Sequence, residues 1–334
     1  MRDYAVPIGV LCATLAAGFL LGPAPLSNTR FVEFSLPDRS SWPSFIVAGP
    51  DGAMWFTEQT ANKIGRITPA GEISEFAVPT PASVPYSIDS GPDGNLWFLE
   101  VGANKIGRIT PSGTIREFAI PTPASQPIGI SAGADGAVWF TEGRSNRIGR
   151  IDRNGKITEF PIRTAASHPR MIAAGRDGNL WFTEEAPAVN QIGRITPAGT
   201  VTEFKVPTPN ASFGCIVSGP DGALWFAEEL GNNIGRVTTN GVVKEFAVPT
   251  PGSLPRCVTA GHDGAVYLIE GYGRKLARIT AAGSITEFAL PAAFGQPYGL
   301  ATAADGTIWF TGQRSGKIGR FIPADTSGGA HVTR

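Results

Sequence analysis

The residues best suited to chemistry in this 334-residue chain are glutamates that recur at a nearly constant interval. One glutamate ends each copy of a repeated segment of the type "AMWFTE", and the six are Glu58, Glu100, Glu142, Glu184, Glu228 and Glu270. The seventh copy has Gly312 at this position. Carboxylates held close together repel one another, so they attract cations or raise each other's pKa values. If the fold gathers these glutamates around one axis, they form a ring of channel-mouth carboxylates able to hold a cation.

Two further rows of residues precede the glutamates at fixed distances. Fourteen positions before each glutamate, or before Gly312, stand Ser44, Tyr86, Ile128, Arg170, Gly214, Arg256 and Tyr298. Two positions earlier still stand Trp42, Val84, Gln126, His168, Ser212, Leu254 and Gln296. These rows differ from copy to copy, whereas structural positions repeat, and aromatic walls with a few polar groups are typical of small-molecule sites. We therefore predict that ligand is bound by Trp42, Tyr86, His168, Arg170, Arg256, Gln296 and Tyr298.

A structural role for the glutamates competes with the ring. Glu58 is followed five residues later by Lys63, and the same spacing gives Glu100 with Lys105, Glu142 with Arg147 and Glu270 with Lys275. Cross-strand ion pairs of this kind contribute modestly to stability and need no ligand. Copies four and five have Gln191 and Asn233 instead, so the pairing is incomplete. For any single glutamate the ion pair is the preferred interpretation.

The elements that must position these residues come from an internal repeat. An Asp-Gly pair recurs every 42 residues, with one interval of 44, at Asp51, Asp93, Asp135, Asp177, Asp221, Asp263 and Asp305. Each copy holds four short segments rich in β-forming residues, separated by turns, and Asp-Gly favours tight hairpins. Four antiparallel strands in 40–45 residues are typical of a propeller blade. The sequence predicts an all-β fold, a seven-bladed β-propeller of four-stranded antiparallel blades over residues 29–323.

The closure of this ring is predicted as well. The Glu-Phe pair of the fourth strand first occurs at Glu33, before the first full repeat, and the last repeat ends without one. The N-terminal strand is therefore expected to complete the seventh blade, leaving no open sheet edge at the seam. Residues 324–334 are expected to form a loose tail.

Composition limits the possible partners. Lys and Arg (28) balance Asp and Glu (28), which argues against a nucleic-acid partner, and 42% hydrophobic residues support a folded core. In residues 1–28, Arg2 precedes an apolar run from Ala5 to Gly22, which is typical of a signal peptide or an uncleaved N-terminal anchor. We expect an exported monomer, periplasmic or secreted, that touches the membrane only through this segment.

Histidine and cysteine chemistry is not expected. His168, His262 and His331 are the three histidines, and the predicted fold keeps them apart, so neither a zinc site nor a Ser-His-Asp triad is predicted. Cys215 and Cys257 occupy the same slot in adjacent repeats. We expect free thiols there, because neighbouring inner strands need not bring the Cα atoms within the ~7 Å that a disulfide requires.

The repeat "GPDG.LWF.E...N.IGRITP.G...EF.VPTP.S.P" resembles that of the streptogramin B lyases, the virginiamycin B lyase family, from about Arg30 to Pro323. The resemblance implies a seven-bladed propeller. It also implies an enzyme that linearises a cyclic depsipeptide antibiotic by elimination at an ester bond, with Mg²⁺ as a possible cofactor. The family's catalytic positions fall on Ser44, Arg256, Gln296, Tyr298 and Gly312, where the family has Tyr, His, Glu, His and Glu.

All five residues depart from the family's pattern. Elimination needs a base for the proton α to the carbonyl, and Mg²⁺ prefers carboxylate oxygens. Arginine cannot act as the base, and a glutamine with a glycine offers Mg²⁺ little. We therefore expect a streptogramin lyase-like propeller that binds a small molecule or peptide at one mouth and has lost the lyase chemistry. Two alternatives remain: an active carbon–oxygen lyase or hydrolase with a rearranged catalytic set, such as Glu228 or Glu270 as base, and a protein-interaction scaffold.

Overall fold

The computed structural model describes residues 30–323, which form seven four-stranded antiparallel sheets. The predicted signal or anchor segment (1–28) and the C-terminal tail (324–334) lie outside the described residues. In the described part, the one helical element besides the strands is a 3₁₀ turn at Ala292–Phe294. No helix in this part is long and apolar enough to cross a membrane.

The strands are numbered β1 to β28 in chain order, and each full blade contributes four consecutive strands from the innermost outward. Blades one to three are β2–β5 (Pro43–Ala48, Met54–Glu58, Lys63–Ile67, Ile73–Ala77), β6–β9 (Pro85–Ser90, Leu96–Glu100, Lys105–Ile109, Ile115–Ala119) and β10–β13 (Pro127–Ala132, Val138–Glu142, Arg147–Ile151, Ile157–Pro161). Blades four to six are β14–β17 (Pro169–Ala174, Leu180–Glu184, Gln191–Ile195, Val201–Lys205), β18–β21 (Phe213–Ser218, Leu224–Glu228, Asn233–Val237, Val243–Ala247) and β22–β25 (Pro255–Ala260, Val266–Glu270, Lys275–Ile279, Ile285–Ala289).

The seventh blade joins the two ends of the chain. It consists of β26 (Pro297–Thr302), β27 (Ile308–Gly312), β28 (Lys317–Phe321) and, as its outermost strand, β1 (Phe31–Ser35). The register runs from Phe31 opposite Phe321 to Ser35 opposite Lys317. The predicted seven-bladed propeller, closed by its N-terminal strand, is confirmed.

The repeated motif residues build the first, second, third and fifth blades through one set of contacts. In the first blade, the Trp55 ring stacks on Phe76 of the outer strand at 5.5 Å, and its Nε1 donates to Asp51 Oδ1 at 3.0 Å. The other oxygen of Asp51 pairs with Arg66 Nε at 2.6 Å. A Cβ on Gly65 would lie 2.1 Å from the Phe56 ring, so only glycine fits there. Asp-Gly, Trp-Phe and Ile-Gly-Arg are therefore one packing unit.

Neighbouring blades are linked at their inner strands. The Thr57 hydroxyl on β3 donates to the carbonyl of Tyr86 in the next blade at 2.6 Å. The hydroxyl of Thr311 makes the equivalent bond to the carbonyl of Ser44 across the seam, also at 2.6 Å. Together with the same bond from Thr141 to the carbonyl of Arg170, they fix the start of the inner strand in the first, second and fourth blades.

Candidate functional site

One mouth of the propeller is formed by the starts of the inner strands and the ends of the second strands. The pairing of Pro43 with Glu58 brings these two ends together in the first blade, and every other blade repeats the arrangement. Tyr86, Arg170 and Tyr298 are the second residues of their inner strands and lie at this mouth.

Two tyrosines meet across the mouth. The hydroxyl oxygens of Tyr86 and Tyr298 lie 2.5 Å apart, within hydrogen-bonding distance. Phe45 makes edge-to-face contacts with both rings, at centroid distances of 4.9 and 5.5 Å. Burial raises the pKa of the Tyr298 hydroxyl far above its usual value, so this group stays protonated at neutral pH. Tyr298 therefore contributes a neutral hydroxyl group, and the two tyrosines and Phe45 form an aromatic wall.

Arg170 lies beside the tyrosine pair and is held by two carboxylates. Its guanidinium is 3.2 Å from Glu185 and 3.1 Å from Glu229, and it also donates to the carbonyl of Phe213. The Arg170 side chain is 15% exposed and that of Glu229 is 13% exposed, so this is a largely buried charge network. Burial raises the pKa of Glu229, against the opposing effect of the nearby arginines.

Arg256 completes the group on the side of the sixth blade. Its guanidinium carbon lies 5.1 Å from the centre of the Tyr298 ring, in cation–π contact. Its Nε is buried and has no hydrogen-bond partner among residues 30–323. Tyr86, Arg170, Arg256, Tyr298, Glu185, Glu229 and Phe45 are called the mouth cluster below.

Glu185 and Glu229 were not among the predicted site residues. Each directly follows a repeated glutamate, and the same slot holds Gln59, Val101, Gly143, Gly271 and Gln313 in the other blades. The Glu-Glu doublets of copies four and five were therefore a usable signal. They are the same kind of blade-specific departure from the repeat that selected Arg170 and Arg256.

The remaining predicted ligand-binding residues lie around the mouth cluster. His168 borders a groove of about 490 Å³ together with Glu185, Pro187 and Leu230. Gln296 borders a second groove of about 540 Å³, which is lined by Tyr272, Arg274 and Arg314 among others. Trp42 is half-buried, and its carbonyl accepts a hydrogen bond from Gln59 N at 3.3 Å. The structure thus brings four of the seven predicted residues together and leaves His168, Gln296 and Trp42 outside that group.

The six repeated glutamates do not form an open ring at this mouth. Each is 0% exposed and is enclosed in its own blade: Glu58, Glu100, Glu142, Glu184, Glu228 and Glu270. The charged neighbours that influence their pKa values belong to their own blade or its adjoining loop, and none is another member of the set. The six carboxyl groups are therefore buried one by one within their blades and do not face the channel mouth as an open ring. The second strand is covered on both sides by neighbouring blades, so its last side chain turns inward.

The competing ion-pair interpretation is wrong. Lys63 stands opposite Glu58 in the register, but its ammonium group pairs with Glu75 on the outer strand at 2.6 Å. Lys105 likewise pairs with Glu117 at 2.8 Å. The basic residues therefore form ion pairs with the partly exposed glutamates of the outer strand. The glutamates that end the second strand form no ion pair with them.

Burial changes the ionisation of the inner glutamates. Burial has the largest influence on these carboxyl groups and raises the pKa to about 7 for Glu58, Glu100, Glu142, Glu184 and Glu270. In the first four blades and the sixth, a serine of the preceding loop lies beside the carboxyl group, as Ser83 does beside Glu100. The fifth blade has Ala211 there, and burial raises the pKa of Glu228 to about 8.

The seventh blade replaces both members of this Ser-Glu pair. Gly312 stands where the other six blades have glutamate, and Gly295 stands where five of them have serine. Phe294 of the 3₁₀ turn is fully buried beside them and contacts Phe310 at 4.7 Å. A Cβ on Gly312 would lie 2.4 Å from Ser315 Oγ and 2.7 Å from the carbonyl oxygen of Phe294. The chain therefore exchanges a buried carboxyl group for apolar packing at this position.

The magnesium ion implied by the family resemblance does not fit the corresponding residues of this chain. Gly312 supplies no side-chain oxygen, and the space above it is filled by Ser315 and Phe294. No group of three or more His, Cys, Asp or Glu placed to hold a metal occurs within residues 30–323.

Cys215 and Cys257 form a disulfide, so the expectation of free thiols is wrong. Their Cα atoms are 4.6 Å apart, because the inner strands of the fifth and sixth blades converge towards the channel. This distance lies within the range that a disulfide spans. The bridge lies next to Gly214 and Arg256 and connects two blades beneath the mouth cluster.

The fold and the mouth define a class of protein: a seven-bladed β-propeller with a polar and aromatic cluster at one end of its channel. The model of the virginiamycin B lyase family matches residues 26–189 and 124–329. The chain belongs to this family.

Similar proteins of known structure support the assignment. A streptogramin B lyase structure is 39% identical and covers 87% of this chain and 97% of its own, with a TM-score of 0.83. A catalytically inactive histidine-to-alanine variant of virginiamycin B lyase from Staphylococcus aureus, with quinupristin, is 40% identical. It covers 88% of this chain and 99% of its own, with a TM-score of 0.83. Virginiamycin B lyase of Bacillus licheniformis is 43% identical over 44 residues, which is 15% of that protein.

Proposed function

We propose that this protein is an exported, ligand-binding member of the virginiamycin B lyase family that has lost the lyase chemistry. The observation that carries the proposal is the mouth cluster, in which aromatic rings and two arginines converge from different blades. A few polar groups in an aromatic wall at the end of a propeller channel suit a small molecule or a peptide.

The residues at the five family positions support the proposed loss of activity. Ser44 is 0% exposed, and Gly312 has no functional group. Arg256 cannot accept a proton, and the raised pKa of Tyr298 keeps its hydroxyl protonated. A base for the elimination is thus missing at each position where the resemblance places the catalytic groups.

The chemistry of the ligand follows from which groups are free. Arg170 is already neutralised by two glutamates, whereas Arg256 has no carboxylate within ion-pair distance in the described chain. We infer that Arg256 offers its guanidinium to a carbonyl or carboxylate oxygen of the ligand, while Tyr298 and Tyr86 contact an apolar part.

A lyase with a rearranged catalytic set is the second candidate, and Glu229 favours it. Glu228 and Glu270 are fully buried within their blades, which removes the bases considered from the sequence. Glu229 lies in the mouth cluster, and burial raises its pKa, which are the properties of a general base. A scaffold for protein contacts is the third candidate, and it requires no role for the mouth cluster.

Export is part of the proposal. Disulfides persist in oxidising compartments, and the Cys215–Cys257 bridge is consistent with a periplasmic or secreted protein. The apolar segment in residues 1–28 supplies the signal peptide or anchor. We propose a monomer whose only membrane contact is that segment.

The proposal is tested by thermal unfolding with a panel of type B streptogramins, acidic peptides and small carboxylates. A ligand that binds only the folded protein raises the unfolding midpoint. We expect a shift with at least one ligand, its loss in Arg256→Ala, and its retention in Arg144→Ala, an exposed arginine of the third blade. Equal shifts in both variants would move the binding site away from the mouth cluster. Linearisation of the streptogramin that depends on Glu229 would establish the lyase instead.

A further inference from the structure

The central channel holds a cavity next to the mouth cluster. Its volume is about 430 Å³, and its wall is built from the middle and the end of the inner strands. Phe45 and Met171 belong to this wall, but Tyr86, Arg170, Arg256 and Tyr298 do not. The cavity therefore shares Phe45 with the mouth cluster, but a ligand in it would not touch Tyr86, Arg170, Arg256 or Tyr298.

One carboxylate stands in this otherwise uncharged wall. Asp89 on β6 is the one charged residue among those that line the cavity. The equivalent positions of the other blades hold Val47, Ser131, Ala173, Val217, Thr259 and Ala301. An ionisable group in one blade of seven is not required by the repeat, and burying it is costly unless it is compensated.

Backbone hydrogen bonds fix the Asp89 carboxylate across two blades. One oxygen accepts from Ser90 N at 2.8 Å, and the other accepts from Ala132 N of the third blade at 3.0 Å. Burial raises the pKa of Asp89 to about 6, so the group is mostly ionised above pH 7. A carboxylate has about four acceptor sites, and two backbone N–H groups and the neighbouring Ser131 hydroxyl leave at least one of them free. No arginine, lysine or histidine lines the cavity to neutralise the charge.

A second polar group in the same wall has no partner. Ser87 precedes Asp89 by two residues on the same strand, is 4% exposed, and lines the cavity. Its hydroxyl has no hydrogen-bond partner within residues 30–323, and neither has that of Ser218 across the channel. Buried hydroxyl groups are normally hydrogen-bonded. Both oxygens are shielded from solvent, so the side chain must rotate to present either of them to an occupant of the cavity.

We propose that the channel cavity binds a small organic cation, with an ammonium head on Asp89 and Ser87 and an aliphatic body along the apolar wall. Val47, Ile130 and Val217 supply that wall. The volume falls in the range of small-molecule pockets, and ammonium provides three donors for the free acceptor sites. A single carboxylate among aliphatic side chains does not supply the six or more oxygens that Ca²⁺ or Mg²⁺ requires.

The experiment is calorimetric titration of the folded protein with n-butylammonium at pH 7.5, with butan-1-ol as the neutral ligand of equal size. We expect butylammonium to bind with a dissociation constant of about 1 mM or lower, and butan-1-ol at least tenfold more weakly. Asp89→Asn should weaken butylammonium binding about tenfold or more, and Ser87→Ala should weaken it several-fold. Glu72→Gln, which removes an exposed turn carboxylate, should leave the affinity unchanged.

Thermal unfolding of each variant shows whether it is folded before its affinity is compared. Ser87→Ala removes only one oxygen and is therefore the milder change. Its affinity for butylammonium still tests the proposal if Asp89→Asn does not fold. Equal affinity of butylammonium and butan-1-ol, or unchanged affinity in a folded Asp89→Asn protein, would overturn the proposal. Absence of butylammonium binding to the unmodified protein would also overturn it. Arg256→Ala should retain butylammonium binding, because Arg256 does not line the cavity.

Discussion

The hydroxyl groups of Tyr86 and Tyr298 lie 2.5 Å apart at the mouth of the channel, although 212 residues separate them in the sequence. Tyr86 is the second residue of the inner strand of the second blade, and Tyr298 is the second residue of that of the seventh. Only closure of the ring brings them together, with Phe45 of the first blade packed against both. The site therefore depends on the complete propeller, because its members come from blades that are distant along the chain.

Removing the positive charge of Arg170 should destabilise the protein. In Arg170→Met, the carboxylates of Glu185 and Glu229 lose the guanidinium that compensates them. Because breaking a largely buried pair leaves an uncompensated charge, we expect a loss of about 2–4 kcal/mol in the free energy of unfolding. Denaturant titration measures it. Adding Glu185→Gln and Glu229→Gln should recover much of the loss, and no recovery would argue against the charge network.

The buried glutamates make stability depend on pH. Their pKa values are raised to about 7 or 8, so between pH 4.5 and 7 the folded protein retains protons that the unfolded chain has released. The stability that they contribute is full below about pH 4.5 and is lost as pH rises through 7. The unfolding midpoint should fall from pH 5 to pH 8. In Glu100→Gln this slope should be shallower, whereas Glu72→Gln should match the unmodified protein.

Stability should respond in the opposite direction below pH 4. Hydrogen bonds and paired arginines oppose burial and lower the pKa values of turn carboxylates such as Asp51 and Asp135. The stability from these groups is lost as pH falls through their lowered values, so the two effects occupy different pH ranges. A midpoint that rises steadily from pH 5 to pH 8 would contradict the assignment of protonated inner glutamates.

Restoring glutamate in the seventh blade should harm the fold and restore no chemistry. In Gly312→Glu the new Cβ would lie 2.4 Å from Ser315 Oγ and 2.7 Å from the Phe294 carbonyl oxygen. Overpacking of this kind costs about 1–3 kcal/mol, and the buried carboxyl group adds to it. Calorimetry should show a lower unfolding midpoint. Magnesium-dependent lyase activity in this variant would mean that the seventh-blade site is intact apart from one residue.

Reducing the Cys215–Cys257 bridge should lower stability. The bridge closes a loop of 42 residues, for which the loss of chain entropy in the unfolded state corresponds to about 4 kcal/mol at most. A Cys215→Ser/Cys257→Ser double variant should unfold at a lower temperature and should not respond to reductant. The third cysteine, Cys12, is present in both proteins, so an equal response of both to reductant would exclude the bridge as the cause.

The repeated residues predicted the fold because each repeated contact is local to one blade. The Asp51, Trp55, Gly65 and Arg66 set lies within 16 residues, so its periodicity determines the number of blades and their strands. The place of Glu58 was not predictable from spacing alone. All five residues of its strand are buried, since blades pack on both faces, and the polar–apolar alternation that reports orientation is absent.

The site was predicted in part. Blade-specific departures from the repeat located Arg170, Arg256 and the two tyrosines, because such residues are not needed by the common packing. Glu229 was missed because it follows the end of a strand, and its link to Arg170 joins the fifth blade to the fourth. The Cys215–Cys257 bridge required the separation of two inner strands, which depends on how closely the blades converge on the channel.

We propose that the propeller binds a ligand at its mouth and has lost the lyase chemistry of its family. The most direct test incubates the protein with a type B streptogramin and Mg²⁺, beside a virginiamycin B lyase from Staphylococcus aureus as the active control. Elimination gives a linear isomer of equal mass, so chromatographic retention must report the product. We predict that the antibiotic remains cyclic with this protein and is linearised by the control. Linear product from this protein, lost in Glu229→Gln, would contradict the claim.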